Sequence, residues 1–324
     1  MPVTSIEKDL DALTMTIVAD FPVPVSRLWT AYADPRQIEK FWGPPEYPAT
    51  FTRHDVVAGG RSDYFMTGPD GSSHGGYWEF LDVVEGESFT VRDGFSNDDG
   101  TPNTDMPSME MAFAFEEASQ GSRLVTVTSF GSLEQLEQLI AMGMEEGTRE
   151  AMGQIDDVLA DLASFAAARS TEAQVLSETK VRVSRIIRGS VEQVWRAHHD
   201  AELMKRWLLG PDGWVMVTCD LADSVGDTFT QEWERAGGGD RFGFTGELLE
   251  STPPHREVTT ESMIGMEGDP SINELTLTAV DGRTLLALVI TYPSSEVRDI
   301  VLGTGMVDGM EASYARLERE LVAV

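Results

Sequence analysis

One segment of the chain occurs twice, and this repeat constrains the fold more than any other feature. Residues 27–46, RLWTAYADPRQIEKFWGPPE, return as QVWRAHHDAELMKRWLLGPD at 193–212. The remaining matches follow in the same order: Gly43-Pro44 with Gly210-Pro211, residues 78–87 with 246–255, and residues 143–159 with 305–321. Because these matches are collinear across the 324 residues, the sequence predicts a duplication. We expect domain 1 at 1–165, a linker at 166–178 and domain 2 at 179–324, which are ordinary domain sizes.

Each copy begins with a strand and two short helices. The strands at 14–21 and 180–187 alternate apolar and polar residues with the period of two that is typical of a half-buried strand. Ser190 stands three residues before Gln193, which is the spacing of a capping box. Asp34 and Asp200 are expected to cap the second helix of their copies, which the Gly-Pro pairs then end.

Antiparallel strands and one long helix complete each copy. About six strands follow the short helices, and in residues 108–116 four large apolar side chains alternate with smaller or acidic ones. A long helix is expected at roughly 133–165 and again at roughly 296–323. This order predicts an α+β fold in which a curved antiparallel sheet wraps around a long C-terminal helix, with two short helices after the first strand.

The C-terminal helices carry two stripes at helical spacing. Glycine and other small residues recur four apart at 143, 147 and 151 and at 305, 309 and 313. An adjacent stripe is rich in methionine, which suits irregular apolar volumes. These stripes have two interpretations: ordinary contacts between helix and sheet, or one wall of a ligand cavity.

Several of these segments together resemble a known superfamily. VWRAHHDAELMKRW with its Gly-Pro stop, GELLE followed by Pro-Pro, and the terminal Gly-Met helix are similar to the SRPBCC superfamily, which has the START-like, helix-grip fold. Within it, both copies resemble the activator of Hsp90 ATPase homologue family over about 14–162 and 180–322. The resemblance implies a cavity between sheet and terminal helix. The superfamily includes lipid carriers, hormone receptors, polyketide cyclases and co-chaperone domains, so it predicts the fold more narrowly than the function.

We therefore expect a small hydrophobic molecule to bind in one or both domains. The expected ligand-binding residues lie on central strands or on the C-terminal helices: Trp78, Met111, Phe113, Met144, Thr148, Met152, Trp233, Phe244, Leu277, Met306, Met310 and Tyr314. Two alternatives stay open. One is a cyclase or dehydratase-type enzyme that uses the same cavity, and the other is a protein-interaction module associated with chaperones. The physiological ligand is left open.

No catalytic residue, metal site or cofactor site is predicted. GSSHG at 71–75 matches G-x-S-x-G, but it lies between two strands rather than at a strand-to-helix turn. The single cysteine, Cys219, excludes a disulfide within the chain and a cysteine-rich zinc site. The carboxylates are numerous, but pairing them across strands requires the register, which the sequence alone does not fix.

The charge limits the partners. There are 24 basic and 55 acidic residues, a formal net charge of −31, which repels the phosphate backbone of nucleic acid. High-salt adaptation and an ordinary acidic surface both account for this charge. We also expect no membrane span and a cytoplasmic location, because the sequence lacks a long apolar run and an N-terminal signal segment. For assembly, we expect either a monomer whose domains form a pseudo-dimer or a homodimer.

Overall fold

The computed structural model describes residues 2–97, 99–141, 143–161, 170–210 and 213–322. The chain divides into two compact units, residues 1–163 and 164–324. Each unit contains one eight-stranded antiparallel sheet together with helices that pack on it.

Unit 1 has eight strands, two short helices and a C-terminal helical region. Its elements are β1 (Val3–Asp9), β2 (Thr14–Phe21), α1 (Val25–Ala33), α2 (Pro35–Ile38), β3 (Ala49–His54), β4 (Arg61–Thr67), β5 (Ser73–Val84), β6 (Ser88–Ser96), β7 (Met109–Ala118), β8 (Gly121–Ser129), α3 (Leu133–Ala141) and α4 (Met144–Ala160). The strand order across the sheet is β1-β2-β8-β7-β6-β5-β4-β3.

Unit 2 repeats this sequence of elements. They are β9 (Glu172–Val175), β10 (Lys180–Ile187), α5 (Val191–His199), α6 (Ala201–Trp207), β11 (Trp214–Asp220), β12 (Thr228–Arg235), β13 (Arg241–Thr252), β14 (Arg256–Met263), β15 (Ser271–Val280), β16 (Arg283–Thr291), α7 (Ser295–Gly303) and α8 (Met306–Val322). The order is β9-β10-β16-β15-β14-β13-β12-β11, which matches unit 1 strand for strand. The predicted α+β fold and tandem duplication are confirmed.

The predicted helix caps are present. The Asp34 side chain accepts a hydrogen bond from the Arg36 backbone N–H at 3.0 Å, and Asp200 caps α6 in the same way. Ser190 and Gln193 form the reciprocal capping box at the start of α5. These contacts satisfy N–H groups that have no partner inside the helix. Pro211, which was expected to follow α6, lies outside the described residues.

An edge strand precedes the predicted first strand of each unit. β1 pairs with β2, and β9 pairs with β10. The two short helices therefore follow the second strand of each unit. Strand β9 lies inside the segment predicted to be linker, so residues 172–175 extend the second sheet instead; residues 166–169 of that segment lie outside the described residues.

The prediction of one uninterrupted C-terminal helix per copy is wrong. Gly143 and Gly305 adopt left-handed backbone conformations, with φ of 89° and 81°, at the start of α4 and α8. This conformation is strained for residues that have a Cβ atom, so each helical region is divided at a glycine. Residues 162–165, predicted to continue the first helix, lie outside the described residues.

The side of each sheet that carries the helices is called the inner face here. In unit 1 it includes Trp78 on β5, Val91 on β6 and Phe113 on β7, each less than 3% exposed. The Tyr32 ring on α1 packs against Phe113, with 5.7 Å between ring centroids. In unit 2, inner-face residues of β10, β15 and β16 form a buried cluster with Tyr314 and Leu317 of α8. Both inner faces are therefore the packing surface for helices.

Candidate functional site

The expected ligand residues of unit 2 lie together on the inner face. Trp233, Leu277 and Tyr314 belong to one buried cluster, and Phe244 and Met310 pack against it while half-buried. Met306 packs instead against a second cluster, whose buried members are Val181, Val183, Ile290 and Tyr292. The structure thus brings five of the six residues into one cluster and places Met306 beside its neighbour.

Half-buried side chains connect these two clusters. Leu288 on β16 and Met310 on α8 pack against both of them. Compact domains usually have one contiguous core. In unit 2, Leu288 and Met310 join the main cluster to a smaller one, and both side chains keep part of their surface accessible.

The expected residues of unit 1 divide between the sheet and α4. Trp78 and Phe113 are in ring contact, with 5.8 Å between centroids, and Met111 on β7 is buried beside Phe113 on the same face. Met152 on α4 is also buried. Met144 and Thr148 lie near the start of α4 and are half-buried, and the Thr148 hydroxyl donates to the Met144 carbonyl at 2.8 Å.

A carboxyl group that the sequence analysis did not single out lies among the apolar residues of unit 1. Asp93 stands directly opposite Trp78 in the register of β5 and β6, so both side chains point to the inner face. The Trp78 Nε1–H donates to Asp93 Oδ1 at 2.9 Å, and the Tyr64 hydroxyl donates to the same oxygen at 3.2 Å. Burial raises the pKa of Asp93 to about 7, although both hydrogen bonds oppose the shift.

Aromatic rings surround this carboxyl group. The Trp42 ring, which is half-buried, meets Trp78 edge to face at 4.6 Å and Tyr64 at 6.2 Å. Burial, and next the Asp93 charge, raise the pKa of Tyr64 well above its ordinary value, so its hydroxyl stays protonated and can donate. Gly76, opposite Tyr64, leaves room for the ring, because a Cβ atom there would approach the ring to 2.5 Å.

Unit 2 has a carboxyl group at the equivalent position. In unit 1 a β-bulge follows the pair Phe80–Val91, and in unit 2 a β-bulge follows the pair Leu248–Thr259. Asp93 lies two residues after Val91, and Glu261 lies two residues after Thr259. The two carboxyl groups therefore have the same position relative to the bulge. Burial raises the pKa of Glu261 as well, while a hydrogen bond from Asn273 opposes the shift.

The neighbours of Glu261 differ from those of Asp93. Gly246 occupies the position of Trp78, and the Phe229 ring lies over it, 2.7 Å from where a Cβ atom would be. Asn273 lies diagonally across from Glu261, and its Oδ1 atom is buried with no hydrogen-bond partner in the described part of the chain. Burial, and next the Glu261 charge, raise the pKa of Tyr292 to about 12.

One sequence signal relates the two carboxyl groups. Residues 78 and 246 match at an offset of 168 in the alignment of the two repeats. The same offset aligns Asp93 with Glu261. The match carries structural meaning only once the bulges and the register are known, because these decide which side chains reach the inner face.

The other ionisable groups near the inner faces have partners within their own unit. His54 contacts the Ser62 hydroxyl through Nδ1 and the Tyr32 carbonyl through Nε2, both at 2.8 Å. Arg185 on β10 forms ion pairs with Glu311 and Glu318 of α8. These contacts attach elements of the fold to one another.

No metal site or membrane-spanning helix is found in the described parts of the chain. No group of three or more histidine, cysteine, aspartate or glutamate side chains there could hold a metal ion. None of the helices described above is long and apolar enough to cross a bilayer.

The family model for activator of Hsp90 ATPase homolog 1-like proteins matches residues 22–160 and again 188–322. The chain belongs to this family. The predicted resemblance is therefore confirmed, and the matches coincide with the two units. No curated protein matches the chain.

Solved structures of three bacterial proteins are similar to the chain, and each covers about half of it. A crystal structure from Mycobacterium smegmatis has 49% identity and a TM-score of 0.46, covering 49% of this chain and 98% of that one. A solution structure from Arthrobacter aurescens has 40% identity and a TM-score of 0.47, covering 50% and 94%. A crystal structure from Rhodobacter sphaeroides has 30% identity and a TM-score of 0.45, covering 48% and 99%.

Proposed function

We propose that the chain binds small hydrophobic molecules between the inner face of the sheet and the C-terminal helix of one or both units. The fold belongs to a superfamily in which apolar ligands are common. The observation that carries the proposal is the pair of clusters in unit 2, joined by half-buried Leu288 and Met310. Apolar side chains that keep accessible surface between sheet and helix are suited to contact a ligand.

Methionine is suited to this position. Met306 and Met310 lie one helical turn apart on α8, and flexible thioether side chains can repack around ligands of different shape. In unit 1, Met111 and Met152 are the corresponding apolar candidates, on β7 and α4. We expect shape and apolar area to supply most of the affinity, at roughly 25 cal/mol per Å² of apolar surface removed from water.

Binding of Nile red, a neutral lipophilic fluorophore, tests this proposal. Met310→Trp adds volume between the two clusters and is expected to weaken binding in unit 2 by about tenfold, or about 1.4 kcal/mol. Ile300→Trp adds the same ring to α7 at a side chain that is 61% exposed, and it should leave binding unchanged. Circular dichroism confirms that both variants fold. Equal Nile red affinity in both variants and the wild type would refute the unit 2 site.

The other functions expected at the sequence level have less support. A cyclase or dehydratase would need ionisable groups near the apolar region, and Asp93 and Glu261 satisfy that first requirement. The family description concerns activation of a chaperone ATPase, which suggests a chaperone partner. Co-purification with Hsp90 and stimulation of its ATPase would favour that alternative over ligand binding.

A further inference from the structure

We propose that the ligand carries a protonated amine and that Asp93 in unit 1 and Glu261 in unit 2 bind it. This inference rests on the proposed function and specifies the chemical class of the ligand. The two carboxyl groups occupy the same position relative to a β-bulge, on the inner face of equivalent strands. A carboxyl group on the inner face of the sheet is unfavourable unless it has a polar partner. Both repeats nevertheless have a carboxyl group at this position.

The arrangement in unit 1 leaves one acceptor atom available. Trp78 and Tyr64 both donate to Oδ1 of Asp93, and among the described residues no group donates to Oδ2. No lysine or arginine in the described part of the chain forms an ion pair with this carboxyl group. A ligand with N–H donors would complete the coordination of Asp93.

The aromatic residues beside Asp93 favour a cation in particular. Trp42, Trp78 and Tyr64 are mutually in contact around the carboxyl group. Trp42 is the one of these three rings that is half-buried, and a cation over the face of such a ring gains about 0.5–2 kcal/mol. The net charge of −31 also raises the concentration of cations near the protein at low salt.

Unit 2 offers acceptors as well, with different residues. The Asn273 side chain lies diagonally across from Glu261, and its Oδ1 atom is a buried acceptor without a partner among the described residues. A buried acceptor left unsatisfied costs about 1–3 kcal/mol. One ammonium group can donate to the Glu261 carboxylate and to Asn273 Oδ1 together, which accounts for both groups at once.

The other ionisable groups near these carboxyls are phenols or have partners of their own. Tyr64 faces Asp93 and Tyr292 faces Glu261; burial raises the pKa of both phenols, so they remain neutral. His54 on β3 forms hydrogen bonds with Ser62 and Tyr32. Arg185 on β10 forms ion pairs with Glu311 and Glu318. No lysine or arginine of the described residues is paired with either carboxyl group, so a ligand ammonium group would supply that counter-charge.

Binding of an ammonium group would ionise Asp93 and release its proton to the buffer. A carboxyl group with a pKa of about 7 is about one-tenth ionised at pH 6 and about nine-tenths ionised at pH 8. The apparent affinity of unit 1 for a permanently protonated amine should therefore rise about tenfold between these pH values. A neutral ligand of the same shape should show no such rise.

Calorimetry with 3-phenylpropylamine and 3-phenylpropan-1-ol at pH 6 and pH 8 tests the inference. We expect the amine to bind more tightly at pH 8, and the alcohol to bind weakly with no dependence on pH. Asp93→Asn and Glu261→Gln preserve shape and should each reduce amine affinity at their own unit by at least tenfold. Asp82→Asn removes an exposed carboxyl group from the same hairpin and should have no effect.

The outcomes separate this inference from the proposed function. Amine binding that is equal in the wild type and in the Asp93→Asn/Glu261→Gln double variant would overturn the amine inference, even if Nile red still binds. Equal binding of amine and alcohol would also overturn it. In a third outcome, the wild type fails to bind Nile red and still binds the amine more tightly than the Asp93→Asn/Glu261→Gln double variant does. That result would refute the apolar site and leave the amine site supported.

Discussion

Replacement of Asp93 with asparagine is expected to stabilise the ligand-free protein at neutral and alkaline pH. Burial raises the pKa of this carboxyl group from 3.8 to about 7, because the charged form is poorly solvated on the inner face. Asparagine keeps an oxygen that can accept from Trp78 and Tyr64 but cannot ionise. The variant therefore removes the cost of the charge and keeps the hydrogen bonds.

The sign and size of the effect follow from proton linkage. The folded pKa lies above the unfolded one, so the folded state holds the proton more tightly, and wild-type stability falls as the pH rises from about 4 to about 7. Each pKa unit corresponds to about 1.4 kcal/mol. The shift of roughly three units gives an upper limit of about 4 kcal/mol for the stability lost above pH 7, and relaxation around the half-buried side chain reduces it.

Urea unfolding at several pH values measures this effect. The difference in unfolding free energy between Asp93→Asn and the wild type should be near zero at about pH 4 and should reach its maximum above pH 7. Asp82→Asn, in the same hairpin but exposed, is the matched control and should track the wild type. A difference that is constant across the pH range would contradict the assignment of a raised pKa to Asp93.

Further stability predictions concern the helices and their contacts, and thermal or urea unfolding can check them. Gly305→Ala should destabilise the protein by about 1 kcal/mol, since the backbone φ of Gly305 is 81°. Gly309 lies inside α8 with open space around an added methyl group, so Gly309→Ala should instead stabilise the protein by about 0.5–1 kcal/mol. Ser190→Ala should cost about 1 kcal/mol through loss of the capping box at α5, and Ser190→Thr should recover most of it. Arg185→Met should destabilise by about 1.5–3 kcal/mol, because the half-buried Glu318 loses its charged partner on β10 and keeps Arg188; an unchanged unfolding free energy would show that this pair contributes nothing.

The architecture could be predicted from the sequence because the repeat preserves local signals. Ser190, Asp34 and Asp200 are cap residues whose effect depends on the adjacent backbone alone, and all three act as expected. The central strands alternate clearly between apolar and polar residues. Such local patterns need no knowledge of which strand lies beside which.

The features that were missed depend on tertiary contacts. Strands β1 and β9 lie at sheet edges and are largely exposed or half-buried, so their sequences lack a strong alternation. Gly143 and Gly305 fit a helical stripe in sequence, but they divide the helical regions instead. Asp93 and Glu261 became recognisable as equivalent only once the bulges fixed the register.

NMR of ¹³C-labelled methionine methyl groups during titration with Nile red tests most directly whether a ligand occupies the inner faces. The account predicts that the resonances of Met306 and Met310, those of Met111 and Met152, or all four shift with saturation, while those of Met106 and Met266 do not. The last two side chains are 38% and 69% exposed and lie in the connections before β7 and after β14. Shifts confined to Met106 and Met266, with the four inner resonances unchanged at saturation, would contradict the account.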